Sequence, residues 1–78
     1  MKLTVLSPER LILSQDDVTA VELPGAKGRF VVLHDHAPLL SSLVAGTVRY
    51  DIGSQREEIE VKGGFAEVKN DEITVCVD

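Results

Sequence analysis

Apolar and polar residues trade places at every second position along most of this chain, and that habit excludes most folds. Val48, Tyr50 and Ile52 alternate with Thr47, Arg49 and Asp51; Ile59 and Val61 alternate with Glu58, Glu60 and Lys62. Ile73, Val75 and Val77 alternate with Glu72, Thr74 and Cys76, while Val21 and Leu23 flank Glu22, and Leu3 and Val5 flank Thr4. Side chains on a strand point to opposite faces in turn, so period two is the mark of a half-buried strand. No helical period of useful length competes with it. The segment from Ala37 to Val44 is the one ambiguous stretch, readable as a helical turn or a strand.

The punctuation agrees with antiparallel pairing. Pro24-Gly25 is expected to end a strand, because proline pre-sets a turn and glycine accepts a positive φ. Gly53-Ser54-Gln55 is expected to turn, and Asn70-Asp71 suits a two-residue hairpin, since both tolerate left-handed φ. Gly63-Gly64 marks a bulge or a close approach of two backbones. The expected fold is all-β, a small two-sheet antiparallel β-sandwich of about eight to ten short strands.

Size then matters. The 78 residues make one domain, 1–78, with no room for a second core. Small domains need help from disulfides, metals or partners. One cysteine, Cys76, excludes an internal disulfide, and two histidines are too few for a structural zinc site of Cys and His ligands. A partner is the economical answer. Leu11-Ile12-Leu13, Phe30-Val31-Val32-Leu33, and Leu39-Leu40 with Leu43-Val44 point the same way, because they are apolar on both strand faces. A sandwich keeps only its inner faces dry, so surplus apolar residues belong to a covered edge or to another protein.

Charge excludes further classes. The formal net charge is −5, the cations are scattered, and the aromatics are Phe30, Tyr50 and Phe65 alone. Nucleic acid needs clustered cations or stacking rings, so it is not expected as a partner. The apolar start, Met1 to Leu6, is too short for a secretory signal. No stretch approaches the roughly 20 apolar residues of a membrane span. The expectation is a soluble, cytosolic chain that meets a membrane only through something else.

His34-Asp35-His36 is the one place with a chemical look. Histidines at i and i+2 on a strand share a side and could begin a metal site, where a carboxylate such as Glu67 would have to stand in for the missing third histidine. The plainer reading is a polar loop whose histidines make hydrogen bonds. Cys76 has no histidine near it in sequence to generate a thiolate and is expected to be a small buried strand residue. The serines at 7, 14, 41, 42 and 54 lie in no hydrolase motif, and Gly63-Gly64 lacks the residues of a phosphate loop. Glu57, Glu58 and Glu60 read as a solvated strand face. No cofactor is expected, and the chain does not look like an enzyme.

Two segments resemble the ε subunit of F-type ATP synthases. One is GRFVVLHDHAPLLSSLVAGTVRY, from Gly28 to Tyr50, with His36-Ala37-Pro38-Leu39 as its specific core. The other is GGFAEVKNDEITVCVD, from Gly63 to Asp78; LTVLSPERLILS and VTAVELPGAKG sit in register before them. The likeness spans essentially the whole chain. It departs at His34-Asp35, where the family more often has Pro-Gly. It also stops at Asp78, where family members usually continue into two helices that in many cases inhibit ATP hydrolysis; the expectation is a short, non-inhibitory form.

The resemblance implies a non-catalytic rotor part on the cytoplasmic face of the bacterial inner membrane. It would lock the γ shaft to the polar loops of the membrane c-ring, so that proton-driven rotation reaches the α and β catalytic subunits. By motif position the ring-facing residues would be Lys27, Gly28, Arg29, Asp35 and His36. The shaft-facing ones would be Ser7, Pro8, Arg10, Leu11, Pro38, Leu39, Ser41 and Leu43. The alternative from another class is a small metal-dependent β-barrel enzyme using His34 and His36. A lipoyl- or biotinyl-type carrier domain fails for want of the hairpin-tip Asp-Lys-Ala or Met-Lys-Met.

Overall fold

The computed structural model describes residues 1–78 and contains only strands. They are β1 (Lys2–Leu6), β2 (Leu11–Gln15), β3 (Ala20–Gly25), β4 (Gly28–Leu33), β5 (Leu39–Leu43), β6 (Gly46–Ile52), β7 (Gln55–Val61), β8 (Gly64–Lys69) and β9 (Glu72–Val77). The ambiguous Ala37–Val44 stretch resolves as a strand, β5, which pairs antiparallel with β8 along its whole length.

Hydrogen bonding makes one curled nine-stranded sheet whose two flanks face each other. One flank has the order β2-β1-β9-β8-β5, and the other β4-β3-β6-β7. They are joined by a single residue pair, Gly25 with Leu43. The architecture is the expected all-β sandwich, with two differences. The flanks are continuous at that corner rather than separate, and β1 runs parallel to β9. Those two strands are the first and last in the chain, so no hairpin forces them antiparallel.

The corner explains a glycine. Gly25 does not supply the positive φ expected of it; that conformation falls on Gly28, at φ 123°, just after the Ala26-Lys27 turn. Instead Gly25 supplies room, since a Cβ there would lie 2.7 Å from the Gly28 carbonyl oxygen and 2.8 Å from the Phe30 ring. The Asn70-Asp71 hairpin is as expected, with both φ angles positive (53° and 61°) and Lys69 facing Glu72.

Inward positions of both flanks meet in one core. Leu3, Val5, Val21, Leu23, Val32, Val48, Ile73 and Val75 are fully buried there, with Tyr50, Val61, Ala66 and Val68 around them. Every one of these sits on the apolar phase of its strand's alternation. No buried side-chain nitrogen or oxygen lacks a hydrogen-bond partner, so the interior carries no uncompensated polar cost.

Candidate functional site

The sole chemical candidate in the sequence does not assemble as the alternation rule requires. His34 and Asp35 lie in a turn rather than a strand, where His36 N–H donates to the Leu33 carbonyl at 3.2 Å and Asp35 has φ 61°. Period-two geometry therefore does not bring His34 and His36 to one side. His36 Nδ1 is spent on the neighbouring Ala37 carbonyl at 2.7 Å. His34 Nδ1 lies 3.0 Å from Asp71 Oδ1, and its Nε2 lies 3.4 Å from Asp35 Oδ2. Glu67 is elsewhere, facing out of β8 between Leu40 and Thr74.

What does gather is His34, Asp35 and Asp71, with ligand-type atoms within 4.8 Å of one another. Every one of these groups already has a partner. Asp71 also accepts the Asp35 backbone N–H at 3.3 Å and lies 3.8 Å from the Met1 amine. Partial burial pushes the Asp71 carboxyl up, but the Asp35 N–H, His34 and the Met1 amine together hold it below its ordinary value. The cluster is a clip tying the β4–β5 loop to the β8–β9 hairpin.

Two outer faces carry the rest of the chemistry, and they differ. On the β2-β1-β9-β8-β5 flank, strand register sets Leu11, Leu6, Cys76, Phe65 and Ser42 side by side across five strands. Leu11 is 58% exposed and Phe65 is 47% exposed; Leu6 and Cys76 are half-buried between them. Val44 and Leu40 add exposed apolar surface at the β5 side. The next row inward along the strands, Ser14, Thr4, Thr74 and Glu67, is polar as far as β8 and ends on β5 at exposed Leu40. The flank thus presents a greasy band near one end of the molecule, and the fold does nothing to cover it.

The β4-β3-β6-β7 flank presents an ion-pair lattice instead. Arg49 Nε donates to Glu58 at 2.6 Å and its Nη1 to Glu22 at 2.8 Å. Arg29 Nη2 donates to the same Glu22 oxygen at 3.0 Å and to the Thr47 carbonyl at 2.7 Å. Arg56 grips Asp51, and Thr47 donates to Glu60. Hydrogen bonds from Arg49, then Arg29, hold Glu22 below its ordinary value; the bond from Arg56 does the same for Asp51.

These faces rearrange the expected contact sets. Leu11 lies on the apolar band, with Ser7, Pro8 and Arg10 in the tight β1–β2 turn beside it, where Ser7 N–H donates to the Arg10 carbonyl at 2.9 Å. Leu39, Ser41 and Leu43 do not join them. They occupy the inward phase of β5, and Leu43 is a core residue. Their neighbours Leu40 and Ser42 are the outward ones. Pro38 is exposed at the opposite end of β5 from the band.

Lys27 precedes β4 and Gly28 and Arg29 start it, whereas Asp35 and His36 follow its end, so roughly 17 Å of strand separates the two groups. They do not form one surface. Arg29 is engaged in the ion-pair lattice, while Lys27 is exposed and in no ion pair.

Sequence reasoning missed Leu6, Phe65 and Cys76 as surface residues, whereas Leu40 is among the apolar residues it read as surplus to one face. Cys76 in particular is not buried as expected, because Ile73, Val75 and Val77 take the inward phase of β9. The available signal was apolar residues in the polar phase of a strand.

Comparison with known proteins fits this arrangement. The family profile described as "ATP synthase, Delta/Epsilon chain, beta-sandwich domain" matches residues 1–78. A protein of Magnetococcus marinus named ATP synthase epsilon chain is 46% identical over 97% of this chain and 55% of its own length. One of the same name from Solibacter usitatus is 42% identical over 100% of this chain and 58% of its own. The chain therefore spans a little over half the length of these relatives.

Among solved structures, a chain of the Euglena gracilis mitochondrial ATP synthase OSCP/F1/c-ring complex superposes with a TM-score of 0.89. The two are 25% identical, over 96% of this chain and 48% of that one. A chain of the Tetrahymena thermophila mitochondrial ATP synthase central stalk and c-ring shares the fold at a TM-score of 0.79 and 15% identity, over 97% of this chain and 61% of that one.

Proposed function

Because this chain belongs to the Delta/Epsilon-chain β-sandwich family of ATP synthases, we propose that it is a non-catalytic part of the central stalk, coupling a shaft subunit to the membrane ring. The observation that carries the reading is the apolar band of Leu6, Leu11, Cys76 and Phe65. It lies on the outer side of a flank whose inner face makes the core, so only something outside residues 1–78 can bury it. A contact of this character suits a permanent partner, and the γ shaft is the one assigned.

The ring contact falls to the adjoining end. There the Ala26-Lys27 turn is bonded to the rim of the band, with Ala26 N–H donating to the Ser42 carbonyl at 2.9 Å and Val44 N–H to the Pro24 carbonyl at 2.9 Å. One stiff body can then meet an axle with its flank and polar ring loops with its end, the arrangement a torque adaptor requires. Lys27 and Gly28 are assigned to the ring, with Arg29 behind them holding the turn to the sheet. Asp35 and His36, at the far end, are not part of that contact. The site is placed at the cytoplasmic face of the bacterial inner membrane, peripheral to the bilayer and held there by the complex.

The experiment is capture from detergent-solubilised membranes with this chain as bait. Recovery of γ, ring, α and β subunits is expected, and Lys27→Glu should reduce ring retention while leaving γ bound. Failure to recover γ overturns the reading as a whole; ring retention unchanged by Lys27→Glu overturns only the end assignment.

A further inference from the structure

The hydrogen bonds that fasten the β4–β5 loop, residues 34–38, to the rest of the molecule converge on one carboxylate. Asp35 N–H donates to Asp71 Oδ1 at 3.3 Å, and His34 Nδ1 lies 3.0 Å from the same oxygen. His36 stays out of the contact, with its N–H on the Leu33 carbonyl and its Nδ1 beside the Ala37 carbonyl. Pro38 has no N–H to offer. The loop thus hangs on Asp71 in the β8–β9 hairpin, and one of its two bonds depends on a histidine.

From this arrangement we infer that His34 is a pH-sensitive latch: its imidazolium fastens the loop to the hairpin, and its neutral ring lets the loop open more often. The ring lies between two carboxylates, with Nδ1 towards Asp71 and Nε2 3.4 Å from Asp35 Oδ2. A neutral imidazole carries one N–H and serves only one of them, while the lone pair of its other nitrogen faces the second. The imidazolium donates to both.

The charges around the ring favour the same state. Asp35 faces it from its own loop, Asp71 from the hairpin, and Asp17 from the β2–β3 connection, where Asp17, Val18, Thr19 and Met1 line a shallow hollow beside His34. The neighbouring cation is the Met1 amine, 3.8 Å from Asp71 Oδ2 and donating to the Val18 carbonyl at 2.9 Å. Lys2, Asp16 and Glu72 border the adjoining hollow, which has Asp71 in its wall. Protonation of His34 therefore adds a cation where carboxylates outnumber cations. Partial burial pulls the Asp71 carboxyl up, yet the Asp35 N–H, His34 and the Met1 amine keep it below its ordinary value, so the acceptor is present throughout and the ring is the variable. The latch is closed at low pH and lost as pH rises through the imidazole range, about 5 to 8. His34 is 70% exposed, so solvent screens the pairing, and the latch governs a local opening rather than the global fold.

Exchange of the Asp35 amide with solvent, followed by NMR and divided by the intrinsic rate at each pH, tests it. Protection should be about two- to fivefold higher at about pH 5.5 than at about pH 7.5, the size an exposed ion pair allows. His34→Gln should flatten this response with the melting temperature unchanged. Asp71→Asn, which keeps an acceptor for the Asp35 N–H and drops the charge, should flatten it too, and His36→Gln should leave it intact. The Met1 amine is present in all three variants, so a response of full size in His34→Gln would belong to that amine and overturn the inference. Protection indifferent to pH in the native chain would overturn it as well, as would a response that His36→Gln removes as fully as His34→Gln.

Discussion

The two outer faces of this small sheet were made by the same alternation rule and came out opposite in character. On the β4-β3-β6-β7 flank, outward positions hold Glu22, Arg29, Arg49, Asp51, Arg56, Glu58 and Glu60, with Val31 and Leu33 at the β4 edge, and nearly every charge finds its complement. On the β2-β1-β9-β8-β5 flank, one outward row holds Leu11, Leu6, Cys76 and Phe65. Exposed ion pairs add little to stability but keep a face wet and unattractive to apolar surfaces. An uncovered apolar row does the reverse. The difference teaches that the unfinished part of this domain is a continuous row on one face, whereas the exposed apolar residues of the other face, Val31 and Leu33, are confined to its β4 edge.

Breaking the apolar side at its foundation should have the largest effect. Gly64 brings β8 against β9 so closely that a Cβ would fall on the Cys76 carbonyl oxygen, and its φ is +136°. Gly64→Ala is expected to destabilise the domain by about 2 kcal/mol or more, measured by denaturant unfolding. Next in size, Phe65→Asp should leave the fold intact and weaken shaft binding by about 2 kcal/mol, roughly thirtyfold. Unchanged γ affinity in a titration would remove Phe65 from the interface.

The opposite face should give the smallest changes. Arg49→Ala removes the hub that Glu22 and Glu58 share, yet a slight fall in melting temperature and unaltered γ binding are expected. Acid should act on the same lattice. Glu22 and Asp51 have native pKa values below their ordinary 4.5 and 3.8, so their contribution is complete above those values and lost as pH falls through the native ones. Melting temperature should therefore drop as pH is lowered below about 4.5, and less steeply in Arg49→Ala. Equal slopes would show that Arg49 contributes nothing measurable to the acid sensitivity, since Arg29 still holds Glu22 and Arg56 still holds Asp51.

Much of the fold was legible because alternation and turn chemistry are local. Val48, Tyr50 and Ile52 announce an inward phase by themselves, and Asn70-Asp71 announces its hairpin. The parallel pairing of β1 with β9 was not legible, since nothing local ties the chain's first strand to its last. Gly25 was assigned the wrong task because its need for space comes from Phe30, a strand away. The placement of the expected contact residues was the least legible in the sequence. Leu39 and Leu43 looked like partner contacts, but Leu40 and Ser42 take the outward phase of β5, and only the register to β8 decides that. Lys27 and His36 flank one strand in sequence and lie at its opposite ends in space.

Cys76, the chain's only cysteine, sits in the middle of the apolar row between Leu6 and Phe65, which makes it a built-in reporter. Maleimide labelling of the free chain, followed by labelling after addition of purified γ subunit, compares the same thiol with its row open and closed. Labelling should slow by at least tenfold when γ is bound, while reactivity of a cysteine introduced at Glu58 on the other flank stays constant. Equal Cys76 reactivity in the free chain and in a verified γ complex would contradict the assignment of this face to the shaft.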